Sequence, residues 1–290
     1  MPEITRLSGT PAALGESPVW DDICDCLWWI DGVAGAIHRT APEAHWQIGG
    51  HIGGVALAEG GLIVARDHEV CLFDSETGSV RTLLTLPDAN PKMRLNDVKL
   101  DRQGRLICAG MGRAGDPLGL LHQIDGALRH RSFGPALKIG NGVCFSPEGD
   151  VLYFSDTVSR LFYACDYDPD TGRAGSPRVH VDTGALGAGV DGATVDRDGV
   201  IWATFIHTGE IACLSPEGRL TDRFRAPVDL PSSLAFGGPD MTTLFVTSIR
   251  DSGTGRAVSE HPEGGHVFAI DGTGATGLPE ARFALTEADE

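Results

Sequence analysis

Six times along this chain a short apolar strand start is followed by an acidic or Gly-rich turn and then a second apolar run. The starts are Val19-Trp20, Val55-Ala56-Leu57, Val98-Lys99-Leu100, Val143-Cys144-Phe145, Ala193-Thr194-Val195 and Leu234-Ala235-Phe236, spaced 36, 43, 45, 50 and 41 residues apart. The second runs include Leu27-Trp28-Trp29-Ile30, Val151-Leu152-Tyr153-Phe154 and Leu244-Phe245-Val246-Thr247. A strand-built repeat of this length is the signature of a β-propeller blade. Six copies predict an all-β, six-bladed β-propeller filling residues 1–290 as one domain. Helical patterning is nearly absent, because glycine or proline interrupts almost every window long enough for a helix. A propeller must close its ring, and the segment Ile4 to Leu7 is a candidate to pair with the last blade. Ser252 to Gly265 lacks apolar periodicity and reads as an exposed loop, and the acidic tail from Leu285 to Glu290 has no role in the repeat.

The repeat fixes where side chains meet, since equivalent residues lie at the same height around one axis. Asn96, Asn141, Asp191 and Ser232 each lie two residues before a strand start, Glu16 lies three before Val19, and the second blade offers Gly53. Placed at the beginnings of the innermost strands, they ring the mouth of the central channel. Oxygens gathered in this way suit a hard divalent cation. Without one, Glu16 and Asp191 would repel and one would tend to keep its proton. Asn141-Gly142 and Asp191-Gly192 are also turn dipeptides in their own right. Their common register in different blades, and a carboxylate before Ser17-Pro18 that no turn requires, favour the ring. Arg94 lies two residues before Asn96, so its guanidinium points to the same mouth and suits a polyhydroxylated or anionic ligand.

Composition narrows the partners. With 23 basic and 40 acidic residues the net charge is −17, which disfavours nucleic acid and anionic membrane surfaces. No run approaches a membrane span, and Met1 to Thr10 has no apolar signal core. Seven cysteines are scattered through strand patterns, and Cys24-x-Cys26 lacks the second pair a zinc site needs. Reduced thiols are therefore expected, and with them a cytoplasmic location. Ten histidines form no metal-binding spacing, and neither a Gly-x-Ser-x-Gly elbow nor a nucleotide-binding glycine pattern is present.

Four motifs occur in order: Leu14-Gly15-Glu16-Ser17-Pro18-Val19-Trp20, Arg94-Leu95-Asn96-Asp97-Val98-Lys99, Gly140-Asn141-Gly142-Val143 and Val190-Asp191-Gly192. Together they resemble the SMP-30/gluconolactonase (regucalcin-like) family over roughly residues 10 to 270. The resemblance implies a six-bladed propeller and one divalent metal held by Glu16, Asn141 and Asp191, with calcium, zinc, manganese, magnesium and iron(II) all known in the family. It implies Asp191 as the acid/base and Arg94 and Asn96 as contacts to a sugar lactone. One departure stands out: where the family often carries Gly-Thr-Met and a nearby glutamate, this chain reads Ala109-Gly110-Met111-Gly112-Arg113-Ala114-Gly115-Asp116. Asp116 or Arg113 is left as the candidate for that wall of the substrate pocket. The expected activity is hydrolysis of a five- or six-carbon aldonolactone. A phosphotriesterase-like hydrolase and a non-catalytic calcium-binding propeller are the alternatives.

Overall fold

The computed structural model describes residues 2–87 and 89–286. The described strands form six four-stranded antiparallel sheets arranged as blades around a channel. The innermost strands are Gly15–Asp21, Ile52–Ala58, Met93–Leu100, Gly140–Phe145, Val190–Val195 and Pro231–Gly237. Each repeat start lies in one of these strands, and each second apolar run lies in the strand paired beside it. Blade six takes its outermost strand from the other end of the chain. Glu3–Arg6 pairs antiparallel with Phe268–Asp271, Ile4 opposite Ile270, and closes the ring as expected.

The continuity of the apolar runs has a packing cause. Successive residues of a strand face opposite sides of the sheet, and here both sides are covered by neighbouring blades. In the run Leu27-Trp28-Trp29-Ile30, Leu27 and Trp29 pack with Phe245 and Ala269 of blade six. Trp28 and Ile30 pack with Val55, Val64 and Phe73 of blade two. Similar clusters fill the other blade interfaces. A strand sandwiched in this way has no polar face, so the pattern is a solid apolar run rather than an alternation.

The two channel ends differ. At the end where the innermost strands finish, the segment from Thr276 to Thr286 crosses the ring. Its contacts are Arg197 N to Thr276 O at 2.8 Å, Gly277 N to Met241 O at 2.7 Å, Phe283 N to Leu57 O at 2.9 Å and Thr286 N to Gly126 O at 2.9 Å. Lys99 pairs with Glu280, and Arg282 with Asp21 and Asp22. Phe283 is 1% exposed and sits in the cluster of Ala58, Leu100, Leu106 and Ile124. Replacing a fully buried phenylalanine with alanine costs about 3–5 kcal/mol when the site cannot collapse. Phe283→Ala is therefore expected to lower global stability by about that amount, checked by urea unfolding. Residues Leu285 and Thr286 of the tail belong to this closure, and the rest of it, residues 287–290, lies outside the described residues.

Five cysteines, Cys71, Cys108, Cys144, Cys165 and Cys213, are free and buried. The expectation of reduced thiols throughout does not hold, because Cys24 and Cys26 form a disulfide in the turn after Asp21. Their Cα atoms are 5.4 Å apart, within bridging reach although one residue separates them. Among the described residues no helix is long and apolar enough to cross a membrane.

Candidate active site at the channel mouth

Every innermost strand is irregular at the same height. The pairing register shifts between Glu16 and Val19, Ile52 and Gly54, Leu95 and Asp97, Asn141 and Cys144, Val190 and Ala193, and Pro231 and Leu234. A bulge re-aims the side chain at the break. That is how Glu16, Asn96, Asn141 and Asp191 come to face the channel from strands that otherwise bury their side chains between blades. Ser17 and Gly142, each directly after such a residue, take φ of 51° and 60°. Asn141-Gly142 and Asp191-Gly192 are thus bulge residues within strands, not hairpin turns. Gly53 is small for a separate reason: a Cβ there would lie 2.4 Å from the Leu95 carbonyl oxygen, behind Arg94 and Asn96.

The mouth opens into a cavity of about 440 Å³ lined by Glu16, Gly53, Arg94, Asn96, Asn141 and Asp191 from the innermost strands. This lies within the range of small-ligand sites, about 300–1,000 Å³. Ile52, Met111, Ile139 and Ile206 supply apolar walls, and Thr157, His207 and Asp229 add polar groups. Ser232 is not brought in. It is fully buried, and its hydroxyl is taken by Gly15 O and Thr247. Asp116 is exposed on the Gly112–Gly119 loop and does not line the cavity. Arg113 is also exposed and pairs with Asp67. The Asp116 carbonyl oxygen packs against Gly112, and the Asp116 side chain is not among the groups that line the cavity.

Hydrogen bonds tie three blades together across the floor. Asn96 Nδ2 donates to Gly140 O at 3.0 Å and to Asn141 Oδ1 at 2.6 Å. Asn141 Nδ2 donates to Asp191 Oδ1 at 2.7 Å and to Thr157 Oγ1 at 2.9 Å. Thr157 Oγ1 in turn donates to Val190 O at 2.7 Å. Both amide protons of Asn96 are spent, which leaves its Oδ1 as an acceptor for a ligand hydroxyl. His207 Nδ1 accepts from Gly189 N at 2.9 Å. Since a backbone N–H only donates, the neutral ring carries its proton on Nε2 as a donor.

The electrostatics are unbalanced. Burial first, then the charges of Asp191 and Asp97, hold the Glu16 carboxyl well above the usual carboxylate range. Burial and then Asp97 push Asp191 up to about 8. Asp97, pushed up to about 6 by burial, pins blade three to blade four by accepting from Val98 N and Val143 N, each at 2.8 Å. Burial, then Arg113, lowers Arg94 to about 10. Among the described residues neither Glu16 nor Asp191 has a basic side chain within ion-pair distance. Acidic oxygens left bare in a protein interior are costly unless a cation meets them. Two carboxylates and an amide are hard oxygen donors, so this set fits a divalent cation. Asp21, Cys24 and Cys26 also cluster closely, but the disulfide consumes both thiols.

Sequence reasoning passed over His207, Asp229 and the residues Ser252, Thr254 and Arg256, all of which line the cavity. They lie on connections outside the repeat, where no periodicity marks them.

Fold and site together define a class: a six-bladed β-propeller with a small-molecule pocket, rich in acidic oxygens, at the mouth of its channel. Residues 14–250 match the model of the SMP-30/Gluconolactonase/LRE-like region, and the chain belongs to that family. It is 32% identical to a 6-deoxy-6-sulfogluconolactonase of Pseudomonas putida, over 94% of this chain and 96% of that protein. It is 31% identical to a pentonolactonase of Haloferax volcanii, over 96% and 97% of the two chains. A crystal structure of a calcium-binding regucalcin from Agrobacterium tumefaciens superposes with a TM-score of 0.90, at 26% identity over 97% of each chain.

Proposed function

We propose that this chain is a divalent-metal-dependent sugar lactonase that opens a five- or six-carbon aldonolactone to its aldonic acid. The observation that carries the reading is the pair of buried carboxylates, Glu16 and Asp191, without a basic side-chain partner among the described residues, facing a cavity of lactone size beside Arg94 and Asn96. The relatives named as lactonases support the same reaction class. Glu16, Asn141 and Asp191 would hold the cation. Bound there, it supplies Lewis-acid polarisation of the lactone carbonyl and lowers the pKa of water.

The chain's own groups supply the rest. In its ionised form, the Asp191 oxygen not bonded to Asn141 accepts a proton from the attacking water. Water oxygen bonds to the lactone carbon, the bond from that carbon to the ring oxygen breaks, and the ring oxygen takes up the proton as a hydroxyl. One water is consumed and one aldonic acid leaves. Arg94, with all but one N–H unspent after its bond to Leu95 O at 2.9 Å, and the Asn96 oxygen orient ring hydroxyls. His207 Nε2–H adds a donor on the cavity wall. The apolar walls limit bulk water.

The test is a panel of pentono- and hexonolactones beside a paraoxon-type phosphotriester, assayed with metal-stripped protein and after reloading with calcium, zinc, manganese, magnesium or iron(II). Lactone hydrolysis that appears only on reloading is expected. Faster turnover of the phosphotriester would favour the phosphotriesterase alternative. Tight calcium binding with no lactone opened would leave a binding protein.

A further inference from the structure

The long connection of blade six, between Thr243–Ser248 and Phe268–Asp271, is an ordered hairpin. Asp251 bridges Val258, Ser252 N donates to Ala257 O at 2.9 Å, and Asp251 Oδ1 accepts from Gly253 N at 2.9 Å. Asp229, between blades five and six, holds the hairpin base. Its two oxygens accept from Ser259 Oγ and, at 2.8 Å, from Glu260 N. The tip reaches a distant blade: Arg256 Nη2 donates to Ala114 O at 2.7 Å, in the Gly112–Gly119 loop of blade three. In a ring of six, blade three stands opposite blade six, so the hairpin and the blade-three loop together bridge the mouth. Gly115 makes room for this, since a Cβ there would lie 3.0 Å from Arg256 Nη1.

Arg256 therefore roofs the cavity whose floor is Glu16, Asn141 and Asp191. Among the described residues it has no carboxylate within ion-pair distance, whereas Arg113 on the loop it touches is taken by Asp67. One of its five N–H groups is used on a carbonyl, and the rest of the fork is uncommitted. A neutral hydroxymethyl end on a sugar needs no such group. A carboxylate or sulfonate matches it in charge and in donor geometry. With the lactone carbonyl at the floor, the opposite exocyclic end of a monocyclic sugar lies toward the roof.

We infer that Arg256 is a specificity residue, and that the preferred substrate is a sugar lactone bearing a carboxylate or sulfonate at its exocyclic end. This rests on the lactonase reading above. The experiment compares lactones that differ only at the terminal carbon, which carries hydroxymethyl, carboxylate or sulfonate, for the wild type, Arg256→Gln and Arg256→Lys. Binding of the corresponding ring-opened acids is measured by calorimetry. A charge-assisted contact corresponds to roughly tenfold to hundredfold in affinity.

The wild type is expected to favour an anionic lactone by at least about tenfold in kcat/KM. Arg256→Gln should abolish that preference, mainly through KM, and change the neutral lactone by less than about threefold. Added salt should weaken only the anionic substrates. Arg256→Lys should retain part of the preference. Which anion is favoured separates carboxylate from sulfonate sources. Equal turnover of neutral and anionic lactones by the wild type, or equal losses for both in Arg256→Gln, overturns the inference. If no lactone is opened at all, the lactonase reading falls and calorimetry decides alone. A preference of about tenfold for the doubly anionic acid, lost in Arg256→Gln, then sustains the role of Arg256, and its absence overturns it.

Discussion

Asp191→Ala should reduce lactone hydrolysis by about a thousandfold or more, because a single residue is asked to serve as both cation ligand and proton acceptor. Loss of a positioned acid/base alone costs about 10²–10⁴ in rate, and losing one of the three proposed oxygen ligands should weaken cation binding as well. Asp191→Asn separates the effects. It keeps an oxygen to accept from Asn141 Nδ2, the bond that measures 2.7 Å in the native chain, but removes the negative charge. The floor network from Asn96 through Asn141 should survive, and activity should not. Steady-state kinetics with saturating metal, alongside equilibrium metal binding, check both variants. Activity above a tenth of wild type in Asp191→Ala would falsify the assigned roles together. Lost activity with unchanged metal affinity would keep the proton role and move the ligand elsewhere.

Stripped of metal, the protein should become less stable as pH rises from about 4 to about 8. In the folded chain the Asp191 carboxyl is pushed up to about 8, chiefly by burial and next by Asp97, from an ordinary value of 3.8. Glu16 is displaced in the same direction, by burial first and then by Asp191. Between the unfolded and folded pKa values the folded state binds more protons than the unfolded state, so unfolding free energy falls with pH across that window. Below it both states are protonated and the penalty is absent. Above it the penalty is complete. For a chain of this size the fall should appear as a decrease in Tm on the order of 5 °C. A divalent cation should reverse it, since a ligand at 100 times its Kd adds about 2.7 kcal/mol. Asp191→Asn should raise the Tm of the metal-free protein at pH 8 while abolishing activity, the usual conflict between a charged site and a stable fold. Differential scanning calorimetry from pH 5 to 8, with and without metal, decides. A flat or rising profile in the stripped protein would mean that the two carboxylates are already neutralised by some other group.

The class of fold was legible because the repeat is a packing rule. A strand wedged between two blades must be apolar on both faces, and runs such as Leu27 to Ile30 or Val151 to Phe154 record that directly. The closing strand near Ile4 followed from the need of a ring to close. Glu16, Asn96, Asn141 and Asp191 could be lined up because each stands at the same distance, within a residue, from its strand start. Their conversion from strand positions into channel-facing groups could not be read. It depends on a bulge in each innermost strand, and bulges are set by pairing with the next strand. Asn141-Gly142 looks the same in sequence whether it makes a turn or a bulge. Asp116 has suitable chemistry near the expected place in sequence, but its side chain is exposed and is not among the groups that line the cavity.

By itself the sequence determined the six-fold architecture, the oxygen-rich set at one height and the acidic surface, all of which follow from local pattern and period. Only the tertiary structure decided that Ser232 is spent on blade one, that the segment around Phe283 seals one end, and that Arg256 reaches across the other end to Ala114. The physical reason is that these contacts join parts of the chain far apart in sequence. Residues 256 and 114 become neighbours only when the ring closes, and no local propensity carries that information.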